Sequence, residues 1–301
     1  MTTFTEDRSS GSSDVARAFL AELARWTELD RSTDPAAFRT ALIAFLRSAQ
    51  AAQPSMALVH QLAARALDVA TTGLQRRDGL GDLRRYVAET CHAELEDLEV
   101  VQAAVARTAA SLLGGRGAWV GTLSASGMVR DALIEARRRG REPNALVGEG
   151  RPHGEGRAMA AALAQNGIPV WLVVDAALPM LLSQAQALWI GADAVTEFGV
   201  INKVGSYAAA LAAREHSVPV YALAGRRKFI PAGTPALQIL EMPASEVWDE
   251  PVPDVRPRNV YFEVVPLPLL RGVVVEDTVL SLAEVAETVR DRALPEELAG
   301  R

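Results

Sequence analysis

The chain has 301 residues, 49% of them hydrophobic and 23% charged, enough to bury one large core or two ordinary ones. Its net charge of -6 supplies no overall positive field for phosphate backbones, so nucleic acid is not an expected partner. The single cysteine, Cys91, excludes an internal disulfide and a Cys-rich zinc site, and no apolar run reaches the roughly 20 residues that cross a bilayer.

Residues 1–13 are polar and rich in Ser, Thr and Gly, which predicts a disordered tail without the apolar segment of a secretory signal. A cytoplasmic protein with no membrane contact is therefore expected. From residue 14 to 114, apolar residues recur at spacings of three and four, as in Val15, Phe19, Leu20 and Leu23, then Phe38, Leu42, Ile43 and Leu46. This spacing predicts a helical N-terminal domain of four or five helices. Breaks fall at Ser32 to Pro35, Gln53 to Ser55 and Gly79 to Gly81, and the last helix, Leu83 to Leu113, is long or bent.

After Gly114, Gly115 and Gly117, short apolar runs alternate with helical stretches, the pattern of βαβ units. Strands are expected at Trp119 to Thr122, Ala145 to Gly148, Val170 to Asp175, Leu188 to Gly191, Val220 to Ala224 and Val273 to Glu276. Helices are expected near Met128 to Arg139, Gly156 to Gln165, Leu178 to Gln184 and Gly205 to His216. The continuous apolar character of the strands predicts burial on both faces, and so an α/β fold with a mainly parallel sheet over residues 115–301. In such sheets ligands sit beyond the strand C-termini, which directs attention to the motifs found there.

The first strand ends in Thr122-Leu-Ser124-Ala-Ser126-Gly127, where hydroxyls and a helix N-terminus either cradle a phosphate or simply cap the helix. The second ends in Gly148-Glu149-Gly150-Arg151-Pro152-His153-Gly154-Glu155-Gly156, whose four glycines admit close backbone approach and whose Arg151 can fork onto a phosphate. The alternative there is a glycine-rich surface loop with a solvated arginine; His153 is read either as a titrating group or as an ordinary exposed histidine. Gly191-Ala-Asp193 closes the fourth strand, and eight residues later Ile201-Asn202-Lys203-Val204-Gly205-Ser206 opens a helix. A carboxylate, an amide, a cation and a helix N-terminus in one crevice suit polarising a sugar hydroxyl beside an anionic group, unless Asp193 only caps and Lys203 is only solvated.

The order of these segments, with Asn166-Gly-Ile-Pro-Val170 and a strand ending at Asp175 between them, resembles the family of the translation initiation factor 2B regulatory subunits. Ribose-1,5-bisphosphate isomerase and methylthioribose-1-phosphate isomerase share that family. The likeness runs from about Thr122 to Glu276, through Ala212 to Val220, Lys228-Phe229 and Phe262 to Pro266, with Gln53 to Met56 a fainter echo. It implies a Rossmann-like α/β domain after the helical one. In the isomerases a Thr-His-Cys-Asn-Thr-Gly segment carries the catalytic cysteine; by that resemblance Asp193 matches its partner and Ser124 replaces the thiol. A serine hydroxyl cannot offer a thiolate near neutral pH but can donate a hydrogen bond. Further departures are Phe198 and a shortened stretch before Asn202, and Gly154-Glu155 where the family has Trp-Gln or Leu-Gln.

Two functions follow from the resemblance. One is an aldose–ketose isomerase acting on a phosphorylated pentose, with Asp193 and Ser124 catalytic and Thr122, Ser126, Gly127, Glu149, Arg151, Asn202 and Lys203 binding substrate. It demands neither a metal nor an organic cofactor. The other is a non-catalytic protein that senses a sugar phosphate or nucleotide. In both a homodimer is expected, with Leu267 to Leu270 as a seam, and Arg84 or Arg85 either completes the pocket or is solvated.

Overall fold

The computed structural model describes residues 4–5, 7, 10–250 and 252–300. Four helices come first: α1 (Ser12–Leu29), α2 (Pro35–Ala52), α3 (Ala57–Gln75) and α4 (Leu80–Ser111). Their breaks coincide with the turn formers. Asp34 caps α2 by accepting from the Ala36 and Ala37 amides, and Pro35 occupies the first helical position, where its missing N–H is not needed. The apolar stripes meet in a core around Phe19, Leu20, Leu23, Phe38, Leu42, Leu46, Leu62 and Leu83. Cys91 lies in this core, and burial pushes its thiol up to about 12, which leaves it unreactive.

The expected tail departs from its composition at two points. Phe4 is buried with its ring edge-on to Phe19 at 5.5 Å, and Ser12 and Ser13 already belong to α1. Gln53, at the end of α2, donates to the Phe4 and Asp7 carbonyls and so ties these two residues to the helical core.

Helix α4 is one unit of 32 residues, about 48 Å long, and it serves both halves of the molecule. Its first part packs in the helical core. Val105, Ala106, Ala109 and Ala110 pack instead on the α/β half. That half contains β1 (Trp119–Leu123), α5 (Gly127–Arg138), β2 (Asn144–Gly148), α6 (Gly156–Gln165), β3 (Val170–Val173), α7 (Leu178–Leu181) and β4 (Ala187–Ile190). It continues with β5 (Ala194–Val195), β6 (Gly199–Lys203), α8 (Ser206–Glu215), β7 (Val220–Leu223), β8 (Phe262–Pro266), β9 (Gly272–Val274), β10 (Val279–Leu280) and α9 (Leu282–Arg290).

The main sheet runs β10-β9-β7-β4-β1-β2-β3, parallel throughout except for β10. Strand order reverses between β1 and β4, the position where open parallel sheets leave a crevice. A second sheet, β5-β6-β8, is antiparallel and departs from expectation; its β5 is too short to show a period, and Asn202 and Lys203 belong to strand β6 rather than to a helix start.

Two further expectations change. β3 is an edge strand with Trp171 46% and Leu172 44% exposed, not a strand buried on both faces. Leu267, Leu269 and Leu270 are buried in this chain's own core and form no exposed seam. Among the described residues, no helix is long and apolar enough to cross a membrane.

Candidate functional site

The reversal between β1 and β4 opens a cleft with an enclosed volume of about 50 Å³, walled by both halves of the chain. On one side β1 ends and Ser124 takes a left-handed conformation (φ 62°), a geometry that residues other than glycine adopt at some cost. This turns the chain so that Ser126 and Gly127 start α5 at the cleft wall. Ser126 Oγ accepts from the Val129 amide at 3.4 Å, so it caps the helix and lines the cleft at once. Opposite stands Gly191, where a Cβ would lie 2.8 Å from Ser126 Oγ; only glycine lets these two strand-end loops meet.

Asp193, two residues on, is 8% exposed, and its carbonyl accepts from the Ala57 amide at 2.9 Å, tying the cleft to the helical domain. Lys228 Nζ approaches from below and donates to Ser12 Oγ and to the Ala192 carbonyl, each at 2.7 Å. Lys203 Nζ donates to Glu155 Oε1 at 2.7 Å and sits 5.0 Å from the Tyr261 ring centre. Asn202 donates to Ser206 Oγ at 2.8 Å. The cleft therefore contains a buried ion pair, Glu155–Lys203, and the further carboxyl and amine of Asp193 and Lys228, flanked by the hydroxyls of Ser12, Ser124 and Ser126.

Burial pushes the Asp193 carboxyl up, and Lys228, Ser12 and Lys203 only partly offset it. Burial likewise pulls Lys228 down to about 8, with Asp193 and Asp14 opposing. Both groups are drawn toward their neutral forms, the state in which a proton moves between them and a ligand at small cost. A lysine whose folded value is about 8 against an unfolded 10.5 binds more protons unfolded than folded across that window. Its contribution to stability therefore rises with pH between 8 and 10.5. Urea unfolding of the wild type should show this rise, by up to about 3 kcal/mol, and Lys228→Met should lack it.

Of the residues singled out in the sequence, Ser124, Ser126, Gly127, Asp193, Asn202 and Lys203 line the cleft. Three do not. Thr122 is buried within β1, and its Oγ1 finds no hydrogen-bond partner among the described residues. Glu149 turns away to Arg157 at 3.1 Å, and Arg151 is exposed with its guanidinium on the Pro152 carbonyl. The glycine-rich loop is nevertheless held firmly, because the Asp175 carboxylate accepts from the Gly150 and Arg151 amides at 2.8 and 2.7 Å. His153 lies 2.6 Å from the Tyr261 hydroxyl, outside the main cleft.

The N-terminus of α8 is also taken. Glu263 Oε1 accepts from the Gly205 and Tyr207 amides at 2.7 and 2.8 Å, which leaves α5 and α1, whose Ser12, Ser13 and Asp14 also line the cleft, as the helices whose first turns face it. Arg84 holds the α1–α2 turn through Asp30 and Ser32, and Arg85 pairs with Asp82 and Glu89, so neither reaches the pocket. Sequence reading missed Ser12, Glu155 and Lys228. Glu155 lies in a loop read for its glycines and arginine, Lys228 enters the sequence reading only within the Lys228-Phe229 likeness and with no site role, and Ser12 lies in the stretch read as a tail.

A helical region closing a polar cleft at the switch point of a mainly parallel sheet defines the class: an α/β protein with a Rossmann-like crevice. The model of the initiation factor 2 subunit family matches residues 8–280, and the chain belongs to that family. It is 34% identical over 157 residues to a putative translation initiation factor eIF-2B subunit 2-like protein of Pyrococcus furiosus, covering 52% of this chain and 55% of that one. It is 32% identical over 177 residues to the methylthioribose-1-phosphate isomerase of Cronobacter sakazakii, covering 53% and 52%. The chain thus spans about half the length of these relatives. Among solved structures, the Pyrococcus horikoshii translation initiation factor eIF-2B superposes with a TM-score of 0.77 at 25% identity, over 92% of this chain and 94% of that one. The 5-methylthioribose 1-phosphate isomerase of the same organism shares the fold, with a TM-score of 0.75 at 20% identity over 96% and 85%.

Proposed function

We propose that this protein is an aldose–ketose isomerase acting on a phosphorylated pentose of the ribose 1,5-bisphosphate or methylthioribose 1-phosphate kind. The observation that carries this reading is Asp193, a deeply buried carboxyl facing two lysines and three serines in one cleft. Converting an aldose into a ketose needs proton movement at adjacent oxygens, and a carboxyl drawn toward neutrality suits that task. Asp193 serves as the general acid–base group and Ser124 orients the sugar oxygen. The first turn of α5, with Ser126 and Gly127, and the Asn202-Lys203 pair hold phosphate and hydroxyls. Similarity to named isomerases over half the chain supports the same reading.

The protein acts in the cytoplasm as a homodimer. The exposed side chains of Phe198, Tyr207 and Val264, on the side of the small sheet, are better candidates for the seam than Leu267 to Leu270. Phosphorus NMR of the protein with a panel of pentose phosphates is expected to show new resonances that grow with time. Line broadening without new resonances would instead favour a sugar-phosphate sensor, the role open to a cleft that has Ser124 and no thiol.

A further inference from the structure

Glu155 has no task in that reading, yet it is placed like a working group. It stands at the N-cap of α6, and its side chain caps no amide of the first turn. Its side chain turns into the cleft instead, 9% exposed, with Oε1 on Lys203 Nζ at 2.7 Å. The other oxygen, Oε2, accepts from Ser124 Oγ at 3.4 Å.

Two backbone features hold that contact. Ser124 has the left-handed turn described above, and Gly150 has φ 75° with so little room that a Cβ would lie 2.8 Å from Ser124 Cβ and 2.9 Å from Glu155 Oε2. A purely structural partner for Lys203 needs only one of the carboxylate oxygens. The second accepts from Ser124, whose side chain also lines the cleft.

We propose that Glu155 is the proton acceptor of the isomerisation, working through Ser124, with Asp193 as the opposing donor. This rests on the isomerase reading. Opening a ring-closed aldose breaks the bond between C1 and the ring oxygen, and that oxygen takes a proton from Asp193. Hydrogen moves with its electron pair from C2 to C1, so C1 is reduced and C2 is oxidised to the ketone. The C2 hydroxyl proton passes to Ser124 Oγ as the proton of Ser124 passes to Glu155 Oε2. One proton enters the sugar and one leaves, and no external oxidant is needed. The two carboxyl groups have environments suited to opposite roles: Glu155 Oε1 lies 2.7 Å from Lys203 Nζ, while Asp193 has no such direct lysine contact among the described residues and is pushed up by burial.

The test compares wild type, Glu155→Gln and Glu155→Ala on the pentose phosphate panel. Glu155→Gln keeps the shape and an oxygen for Lys203, so kcat should fall by about 10²-fold or more while KM stays within about threefold. Glu155→Ala should regain part of its turnover when formate is added, because a small carboxylate can occupy the vacated space. Wild-type turnover with an unaffected Glu155→Gln overturns this proposal and spares the isomerase reading. So does a loss carried by KM and melting temperature alone with no formate rescue, which would mark Glu155 as a structural anchor of Lys203. Absence of turnover in the wild type overturns both.

Discussion

Asp193→Asn is expected to lower kcat on the cognate sugar phosphate by about 10²- to 10⁴-fold, the range associated with losing a positioned acid–base group. The substitution keeps size and a hydrogen-bonding oxygen but cannot exchange a proton. Its effect on the fold should be smaller than its effect on turnover. Lys228, which would lose its buried counter-charge, is already pulled down to about 8 and can shed its own proton as the pH rises. Steady-state kinetics together with thermal melts separate the two effects. An unchanged kcat would remove Asp193 from the chemistry.

The second large effect concerns a glycine that joins fold to site. At Gly156, the first residue of α6, a Cβ would sit 2.2 Å from the Gly148 carbonyl oxygen and 2.9 Å from the Glu149 Cα, both backbone atoms of the loop leaving β2. No rotamer change relieves a clash with backbone, so the helix and the strand end must move apart. Gly156→Ala should cost roughly 3 kcal/mol in urea unfolding, at the upper end of overpacking penalties. Because Glu155 is the adjacent residue, activity should fall as well. Gly114→Ala, with nothing within 4 Å, is the control and should leave stability within about 0.5 kcal/mol of wild type. Equal effects at the two positions would contradict the packing described here.

The two halves differ in how far their sequence discloses them. Helices α1 to α4 are readable because an amphipathic stripe repeats over several turns and Asp34-Pro35 marks a start unambiguously. The parallel strands are readable from apolar runs flanked by helices. The small sheet is not, since Ala194-Val195 shows no period and β8 pairs with β6 from some sixty residues away. The cleft divides in the same way. Ser124, Ser126, Asp193, Asn202 and Lys203 lie in strand-end segments and announce themselves by position. Arg151 and Glu149 share such a segment, but the cleft-facing positions of that loop are decided by Asp175, which binds its backbone from the next strand end. Ser12 and Lys228 meet only because α1 closes over the sheet, a long-range packing event that no local pattern encodes.

The most direct test of the account is a crystal structure of Asp193→Asn soaked with ribose 1,5-bisphosphate. The sugar is expected between the substituted side chain and Ser124, with one phosphate on the first turn of α5 and Lys203 within reach of the ligand. A sugar bound instead in the Arg17, Arg107 and Arg130 groove between α4 and α5, with the cleft between β1 and β4 empty, would contradict the assignment of the site.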